Sequence, residues 1–188
     1  MSDFESVMHL TRKTSGETAL EEPECAKYFD LLWALPENSV IVEIGLQWGR
    51  SSSIALQVAA RHRLEYWGID PFIDPPEAYE GWTKMANSTA SPYHLLCMKS
   101  EVSGHLLPSQ IDVALIDGDH WEAGVRKDCA LLMPRIKPGG RLLFHDYGRE
   151  SLPDVYPTVQ ATMVASVMEG QGWVEEPTVG CLGIWRKA

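Results

Sequence analysis

Residues 40–52 of the chain read VIVEIGLQWGRSS. The first five, Val40–Ile44, are β-branched and apolar apart from Glu43, which is typical of a strand buried in a parallel sheet. Gly45 then lets the chain turn sharply, and Gly49 lets the backbone approach a ligand closely. A carboxylate is costly to bury, so Glu43 is a candidate functional residue, with a satisfied buried polar group as the alternative. The segment predicts the strand, loop and first helix of an α/β fold.

Strand-like and helix-like segments alternate along the rest of the chain. Further strands are predicted at 64–70, 93–98, 111–117 and 141–145, and helices at 51–63, capped by Ser51 or Ser52, at 121–133 and at 155–169. The last two strands, 173–176 and 181–186, are too close in sequence for a crossover and must pair antiparallel. The pattern predicts a Rossmann-like, doubly wound, mostly parallel sheet of seven strands that ends in an antiparallel hairpin, with helices on both faces.

Two stretches lie outside this alternation. Residues 1–36 predict a helical N-terminal extension, and residues 37–188 form the α/β domain. An insertion at 71–92 follows the second strand, and connections of this length are typically lids or binding loops. Because little chain is left for a separate substrate domain, we expect a small molecule as the binding partner.

The charge balance excludes some partners. Among 188 residues, 16 are Lys or Arg and 26 are Asp or Glu, which gives a net charge of −10. Phosphate backbones need clustered cations, and the densest group is only Arg61-His62-Arg63, so we expect no nucleic-acid partner. A ligand with a cationic centre suits the balance better.

Neither a membrane nor an oxidising compartment is indicated. The longest unbroken apolar run, 31–35, is far shorter than a bilayer span, and the N-terminus does not resemble a secretory signal. The four cysteines are scattered without a CxxC pair, as expected for reduced thiols. We therefore predict a cytoplasmic protein with no membrane partner.

Ligands of open α/β sheets bind at the carboxyl ends of the strands. Asp70 ends the second strand, where an acid typically hydrogen-bonds ribose hydroxyls; a simple turn before Pro71 is the alternative. Gln47 stands where a dinucleotide-binding loop carries glycine, which disfavours a nicotinamide-dependent dehydrogenase.

Acids and histidines are concentrated after the fourth and fifth strands. Asp117, Asp119 and His120 follow the fourth, and His145 and Asp146 follow the fifth. If these strands are neighbours, the side chains converge on one point, where carboxylates and imidazole can hold a divalent cation. His120 titrates near neutral pH and is a candidate general base. A helix N-cap for Asp119 and a core histidine for His145 are the alternatives.

Four segments in this order carry a resemblance to a known family. They are VEIGLQWGRSS at 42–52, IDP at 69–71, IDGDHWEAGVRKD at 116–128 and PGGRLLFHDYG at 138–148. From about residue 16 to residue 185, the chain resembles class I S-adenosylmethionine-dependent methyltransferases. More narrowly it resembles the bacterial small-molecule O-methyltransferases of the macrocin and cephalosporin-biosynthesis type, and more distantly the catechol and caffeoyl-CoA O-methyltransferases.

The resemblance implies S-adenosylmethionine (SAM) as the cofactor of the 37–188 domain. The implied contacts are Glu43, Gly45 and Gly49 with the methionine half, Asp70 with the ribose and Ser100 with the adenine. We also expect Trp48, as an aromatic wall, and Asp117 to contact the cofactor.

The resemblance also implies a metal and a base. Asp117 matches the first metal acid of the catechol-type enzymes, His145 and Asp146 match their acid pair, and His120 falls at their catalytic lysine. These matches lead us to expect methyl transfer to a hydroxyl of a small molecule. Asp117, His145 and Asp146 would bind a divalent metal, Mg²⁺ by preference, and His120, Asp117 and His145 would be catalytic.

Two other functions stay open at this point. One is a metal-independent O- or N-methyltransferase with a histidine base, since His145 replaces an acid of the pair. The other is a non-catalytic SAM-binding subunit. The N-terminal helices also leave a homodimer open.

Overall fold

The computed structural model describes residues 2–14, 20–73, 75–148 and 161–188. The helices in these ranges are α1 (Asp3–Thr14), α2 (Glu22–Trp33), α3 (Arg50–His62), α4 (Ala78–Ser88), α5 (Ser100–Ser103), α6 (Glu122–Leu132) and α7 (Ala161–Met168). The strands are β1 (Val40–Ile44), β2 (Glu65–Ile69), β3 (His94–Leu96), β4 (Ile111–Ile116), β5 (Ile136–Phe144), β6 (Trp173–Val179) and β7 (Leu182–Lys187).

The seven strands form one sheet in the order β3-β2-β1-β4-β5-β7-β6. Strands β1 to β5 are parallel, and β7 runs antiparallel to both β5 and β6. The predicted doubly wound sheet with its terminal hairpin is confirmed. The strand order reverses between β1 and β4, and such a switch point is where open α/β sheets bind their ligands.

Side chains that alternate along each strand build a core on each face of the sheet. On one face, Ile41 of β1 packs in a cluster with apolar residues of α1, α2, α3 and α4. On the other, Val42 and Ile44 pack in a cluster with α6 and α7. Because β1 is buried on both faces, it has no room for the polar-apolar alternation of a solvent-facing strand. The helices on both faces are as predicted.

The first helix of the α/β unit does not begin as predicted. Its N-cap is Gly49, in the left-handed region with φ of 84°, and no side chain caps it. Ser51 and Ser52 are buried inside the helix, and Ser52 Oγ donates a hydrogen bond to Glu43 instead. The prediction of a serine cap was wrong because the Ser51 and Ser52 hydroxyls hydrogen-bond the buried Glu43 carboxylate instead.

Strand β5 is also longer than predicted. It begins at Ile136 rather than at 141 and includes the Pro138-Gly139-Gly140 segment, which precedes the predicted strand. A register shift against β4 accommodates this segment, and a Cβ at Gly140 would lie 2.8 Å from the carbonyl oxygen of Asp112. Glycine is needed there for close strand approach. The first part of the helix predicted at 155–169 lies outside the described residues, and the rest coincides with α7.

The two stretches outside the alternation are helical and pack on α3. Hydrogen bonds from Gln57 Nε2 to the carbonyl of Val7 (3.1 Å) and between Thr11 and Ser53 hydroxyls (3.0 Å) join α1 to α3. In the 71–92 insertion, α4 buries Trp82, whose indole N–H donates to Ser52 Oγ at 2.9 Å. The division at residue 36 and the lid role of the insertion stay predictions.

No helix within the described ranges combines the length and apolar character that crossing a lipid bilayer requires.

Candidate functional site

A cavity of about 740 Å³ opens at the carboxyl ends of β1, β2, β4 and β5. It is lined by residues from the loops that follow these strands and from α3, α5 and α6. They include Gly45, Gln47, Arg50, Asp70, Ile73, Ser100, Asp117, Asp119, His120, Asp128 and Asp146.

Gly45 sits where two strand ends approach most closely. It has φ of 87°, and a Cβ there would lie 2.1 Å from the carbonyl oxygen of Asp117. The backbone N–H of Asp117 donates to the carbonyl of Ile44 at 2.8 Å, which closes the gap between β1 and β4. The wall of the cavity is therefore bare backbone at this point, and such a surface admits a ligand closely.

Asp70 fixes the loop that follows β1. Its Oδ2 accepts hydrogen bonds from the backbone N–H groups of Leu46 (2.7 Å) and Gln47 (3.1 Å), and its Oδ1 accepts from Phe72 at 2.6 Å. The side chain thus ties the loop after β1 to the loop after β2 at the cavity wall. Its contact with a ribose stays a prediction.

Three residues predicted to touch the cofactor lie behind the cavity wall rather than among the residues that line it. Glu43 is fully buried and accepts hydrogen bonds from Ser52 Oγ at 2.8 Å and from the hydroxyl of Tyr66. A Cβ on Gly49 would press against Met85 and Trp82, and Trp48 packs against Gly81. Glu43, Trp48 and Gly49 support the loop after β1 from the side facing away from the cavity. Their direct contact with a cofactor stays a prediction.

Burial raises the pKa of Glu43 to about 7, although hydrogen bonds from Ser51, Tyr66 and Ser52 oppose this shift. The folded protein therefore binds this proton more tightly than the unfolded chain, where the pKa is 4.5. The free energy of unfolding should therefore fall as the pH rises from 4.5 to about 7.

Glu43→Gln removes this titration and keeps an acceptor oxygen for the two hydroxyls. Denaturant unfolding of both proteins at about pH 4 and about pH 8 should show the wild type losing about 3 kcal/mol more stability than the variant on going to the higher pH. Parallel stability curves would show that Glu43 does not titrate in this range. All other titrating groups are common to the two proteins and cancel in the difference.

The far end of the cavity carries Ser100, predicted to contact adenine. Its Oγ donates to Oδ1 of Asp128 at 2.5 Å, and burial raises the pKa of Asp128 to about 6. Asp119 accepts from the backbone N–H of Trp121 at 3.0 Å and also lines the cavity. The N-cap of α6 is Trp121, without a side-chain cap, so the alternative that Asp119 caps this helix was wrong. Sequence reasoning missed Asp128 as a site residue because it lies within α6, away from any strand end.

The acids and histidines of β4 and β5 converge as predicted. Oδ1 of Asp117 lies 3.1 Å from Nδ1 of His145 and 3.4 Å from Nε2 of His120. Oδ2 of Asp146 lies 3.7 Å from Nε2 of His120. The convergence follows from the parallel register of the two strands, in which Ile116 is the partner of Phe144.

Each group in this cluster stabilises the charged form of its neighbour. Burial alone would raise the pKa of Asp117, but the hydrogen bonds from His120 and His145 outweigh it and lower that pKa. The hydrogen bond to Asp117 likewise raises the pKa of His120. His145 is fully buried, yet its contacts with Asp117 and Glu24 raise its pKa well above the ordinary value. The cluster is a set of buried, mutually paired charges.

Asp146 has an uncommon backbone conformation. Its φ is 52°, in the left-handed region that non-glycine residues rarely adopt, although aspartate tolerates it better than most. The conformation lies at the end of β5, where it aims the carboxylate at His120. Strain of this kind is concentrated at functional sites.

Asp117, His120 and Asp146 fit a divalent metal. Each offers one ligand atom, and the three atoms lie within 4.8 Å of one another. Two carboxylates and an imidazole suit such an ion. His145, predicted as a ligand, is not in this group, because its two ring nitrogens face Asp117 and Glu24. A metal role for His145 stays a prediction that this geometry does not favour.

Sequence reasoning missed Glu24 altogether. It lies at the third position of α2, where its Oε2 accepts the backbone N–H of Glu21 at 2.7 Å in a capping box. The pattern of Glu21, Pro23 and Glu24 predicts a helix start. Nothing in it signals that the Glu24 carboxylate also reaches a histidine after β5.

Comparisons with known proteins agree with this geometry. A solved structure of the methyltransferase PaMTH1 of Podospora anserina, bound to S-adenosylhomocysteine (SAH), has a TM-score of 0.69 at 15% identity, covering 100% of this chain and 89% of that chain. An rRNA methylase of Streptococcus thermophilus has a TM-score of 0.63 at 13% identity, covering 90% of this chain and 99% of that chain.

A third structure, an O-methyltransferase family protein of Burkholderia thailandensis, has a TM-score of 0.60 at 13% identity, covering 87% of this chain and 56% of that chain. At such identities these likenesses show a shared fold. No curated protein matches the sequence of the chain.

A family profile supplies the remaining evidence. The profile described as a methyltransferase domain matches residues 42–147, more than half of the chain, from β1 to the residue after Asp146. The matched segment contains the Gly45 loop, Asp70 and the cluster of acids and histidines. The chain therefore belongs to the methyltransferase-domain family and is a class I SAM-dependent methyltransferase.

Proposed function

We propose that the protein transfers the methyl group of SAM to a hydroxyl of a small molecule, with His120 as the base and a divalent cation between Asp117 and Asp146. The observation that carries this proposal is the position of the cluster. Asp117, His120 and Asp146 share one cavity with the Gly45 loop and Asp70. A cofactor held at that loop would therefore place its reactive end beside a base and two carboxylates.

The protein's own residues bind, orient and exchange a proton in this scheme. The Gly45 loop and Asp70 would hold SAM, which supplies its methyl group from a sulfonium centre when bound. Asp117 and Asp146 would hold the ion, which polarises a bound hydroxyl. In this scheme His120 is the base and not a third ligand of the ion. As the new oxygen–carbon bond formed and the carbon–sulfur bond broke, the hydroxyl proton would pass to the His120 ring. The cavity walls align the two reactants and exclude water.

The size and charge of the site support a small acceptor. A cavity of about 740 Å³ that would also hold SAM is of the size expected for a cofactor together with a small acceptor. One structural neighbour is an O-methyltransferase family protein and another is an rRNA methylase. The net charge of −10 and the carboxylates at the cavity favour a small acceptor over a polyanion such as RNA.

A second candidate is metal-independent methyl transfer with His120 as the base. The observation that favours it is the 3.1 Å contact between His145 and Asp117. A buried imidazolium there supplies a positive charge to Asp117, as a metal ion would.

The test combines binding, turnover and chelation. We expect the purified protein to bind SAH in a calorimetric titration. With SAM and a panel of phenols, sugars and hydroxylated amino acids, mass spectrometry should detect SAH and a methyl ether. Activity should disappear with EDTA and return with Mg²⁺, and Asp146→Asn should lower it. Asp112→Asn is the matched control, since Asp112 pairs with Lys137 at the opposite end of β4.

The outcomes separate the candidates. A protein that binds neither SAM nor SAH contradicts both. Full activity after exhaustive chelation, together with an active Asp146→Asn variant, replaces the first candidate with the second. A methylated nitrogen in the product contradicts the assignment to a hydroxyl.

A further inference from the structure

A buried carboxylate from the N-terminal part of the chain, that of Glu24, contacts His145 on the side away from Asp117. Glu24 of α2 is 1% exposed. Its Oε2 lies 3.4 Å from Nε2 of His145 and accepts the Glu21 N–H at 2.7 Å, and its Oε1 accepts the Cys181 N–H at 2.5 Å. Two of these partners, the Glu21 and Cys181 N–H groups, donate hydrogen bonds to the carboxylate, and the third, the His145 ring, lies within ion-pair distance of it.

The turn between β6 and β7 is shaped around this side chain. Gly180 has φ of 58°, and a Cβ there would lie 2.5 Å from Oε1 of Glu24. Any side chain at that position would push the carboxylate away. Three separate parts of the chain thus meet at Glu24: α2, the turn of the terminal hairpin and the end of β5.

Glu24 and Asp117 hold the His145 ring from both sides. Nδ1 lies 3.1 Å from Asp117, and Nε2 lies 3.4 Å from Glu24. The second ring torsion of a histidine is otherwise broad, so a carboxylate facing each nitrogen favours one ring plane. Asp117 in turn faces His120. Acids and imidazoles therefore alternate from Glu24 through His145 and Asp117 to His120 at the cavity.

We propose that Glu24 is a positioning residue, which acts through His145 to hold the Asp117 carboxylate toward His120 and the cavity. The proposal rests on the function proposed above for the cluster. A buried ion pair costs several kcal/mol of desolvation per charge, and an apolar contact would link α2 to the sheet without this cost. What an apolar contact could not supply is an acceptor for the His145 ring.

The variant Glu24→Gln tests the proposal. It keeps the size of the side chain, but its amide NH₂ must face either the Cys181 N–H or both the Glu21 N–H and the His145 ring. We expect kcat to fall roughly 10–100-fold, the range for residues that orient a ligand or base, while the KM for SAM changes by less than about twofold. The matched control is Glu22→Gln, on the same helix, whose carboxylate is exposed and pairs with Arg12 at 2.5 Å. It should behave as the wild type.

Ring spectra of ¹⁵N-histidine-labelled protein supply a readout that does not depend on an acceptor. In the wild type, both ring N–H protons of His145 should be protected from exchange. In Glu24→Gln the Nε2 signal should shift or disappear, and the His120 signals should move as well, although Glu24 does not touch His120. A merely structural role of Glu24 would leave the His120 signals in place.

The outcomes are distinct. A folded Glu24→Gln variant with wild-type kcat and unchanged His120 signals overturns the proposal. If the variant does not fold, the wild type decides, because a His145 Nε2–H that exchanges at the solvent rate overturns it as well. If no acceptor is methylated by any of the proteins, the proposed function fails, while the His120 signals still report whether Glu24 positions the cluster.

Discussion

His120→Ala should lower kcat by a factor of about 10²–10⁴ and leave the affinity for SAH nearly unchanged. A positioned general base contributes this much to proton transfer, and His120 is the histidine of the cluster that lines the cavity. SAH binding should persist because Gly45 and Asp70 do not depend on this ring. Steady-state kinetics and calorimetric titration of SAH check the two halves of the expectation.

The pH dependence of the wild type sharpens this test. The hydrogen bond to Asp117 raises the pKa of His120 above 6.5, and only the neutral ring accepts a proton. Activity should therefore rise with pH, with a midpoint above that ordinary value, and this limb should vanish in His120→Ala. His105→Ala is the matched control, because His105 is exposed and outside the cavity. Unaltered kcat in His120→Ala would remove the base from the scheme.

Gly45→Ala should weaken cofactor binding strongly. The added Cβ would lie 2.1 Å from the carbonyl oxygen of Asp117, where ordinary contact begins at 3.4 Å, so the ends of β1 and β4 must separate by more than an ångström. A misplacement of this size costs about 100-fold, and left-handed backbone adds about 1–2 kcal/mol of strain. Calorimetry should show the Kd for SAH raised by at least about 100-fold, ~2.7 kcal/mol.

Gly139→Ala is the control for the strain of placing alanine in the left-handed backbone region. Gly139 has φ of 79°, close to that of Gly45, but a Cβ there meets nothing within 4 Å. Its variant should lose stability by the same strain and keep its affinity for SAH. Equal SAH affinities in the two variants would mean that the close approach of Gly45 to Asp117 does not shape the cofactor site.

The central strands were predictable from sequence because β1 and β4 are buried on both faces. Val40–Ile44 is apolar apart from Glu43, and Ile111–Ile116 is apolar apart from Asp112; a glycine follows the first run and an acid follows the second. The convergence of Asp117 with His145 and Asp146 followed from the same pattern, since neighbouring parallel strands end at one edge. Local signals sufficed for all of this.

What sequence could not predict depends on contacts between distant segments. Ser51 and Ser52 have the chemistry of helix caps, but Glu43 and the Trp82 indole use the Ser52 hydroxyl inside the core. Glu24 looks like one half of a capping box, which it is, yet it also meets a histidine more than a hundred residues away. In both cases the decisive contact is between a polar side chain and a buried partner from a distant part of the chain, which the local sequence does not reveal.

The hydrogen bond from Trp82 to Ser52 has a consequence for how this protein can diversify. Through Ser52, the bond joins α4 to Glu43 of β1, so substitutions in that helix would disturb the core and the cofactor loop together. Ile73 differs: it lines the cavity, its side chain is 65% exposed, and it precedes α4. Substitutions at Ile73 would therefore change the cavity wall without disturbing the core, whereas substitutions in α4 are under the same constraint as the sheet.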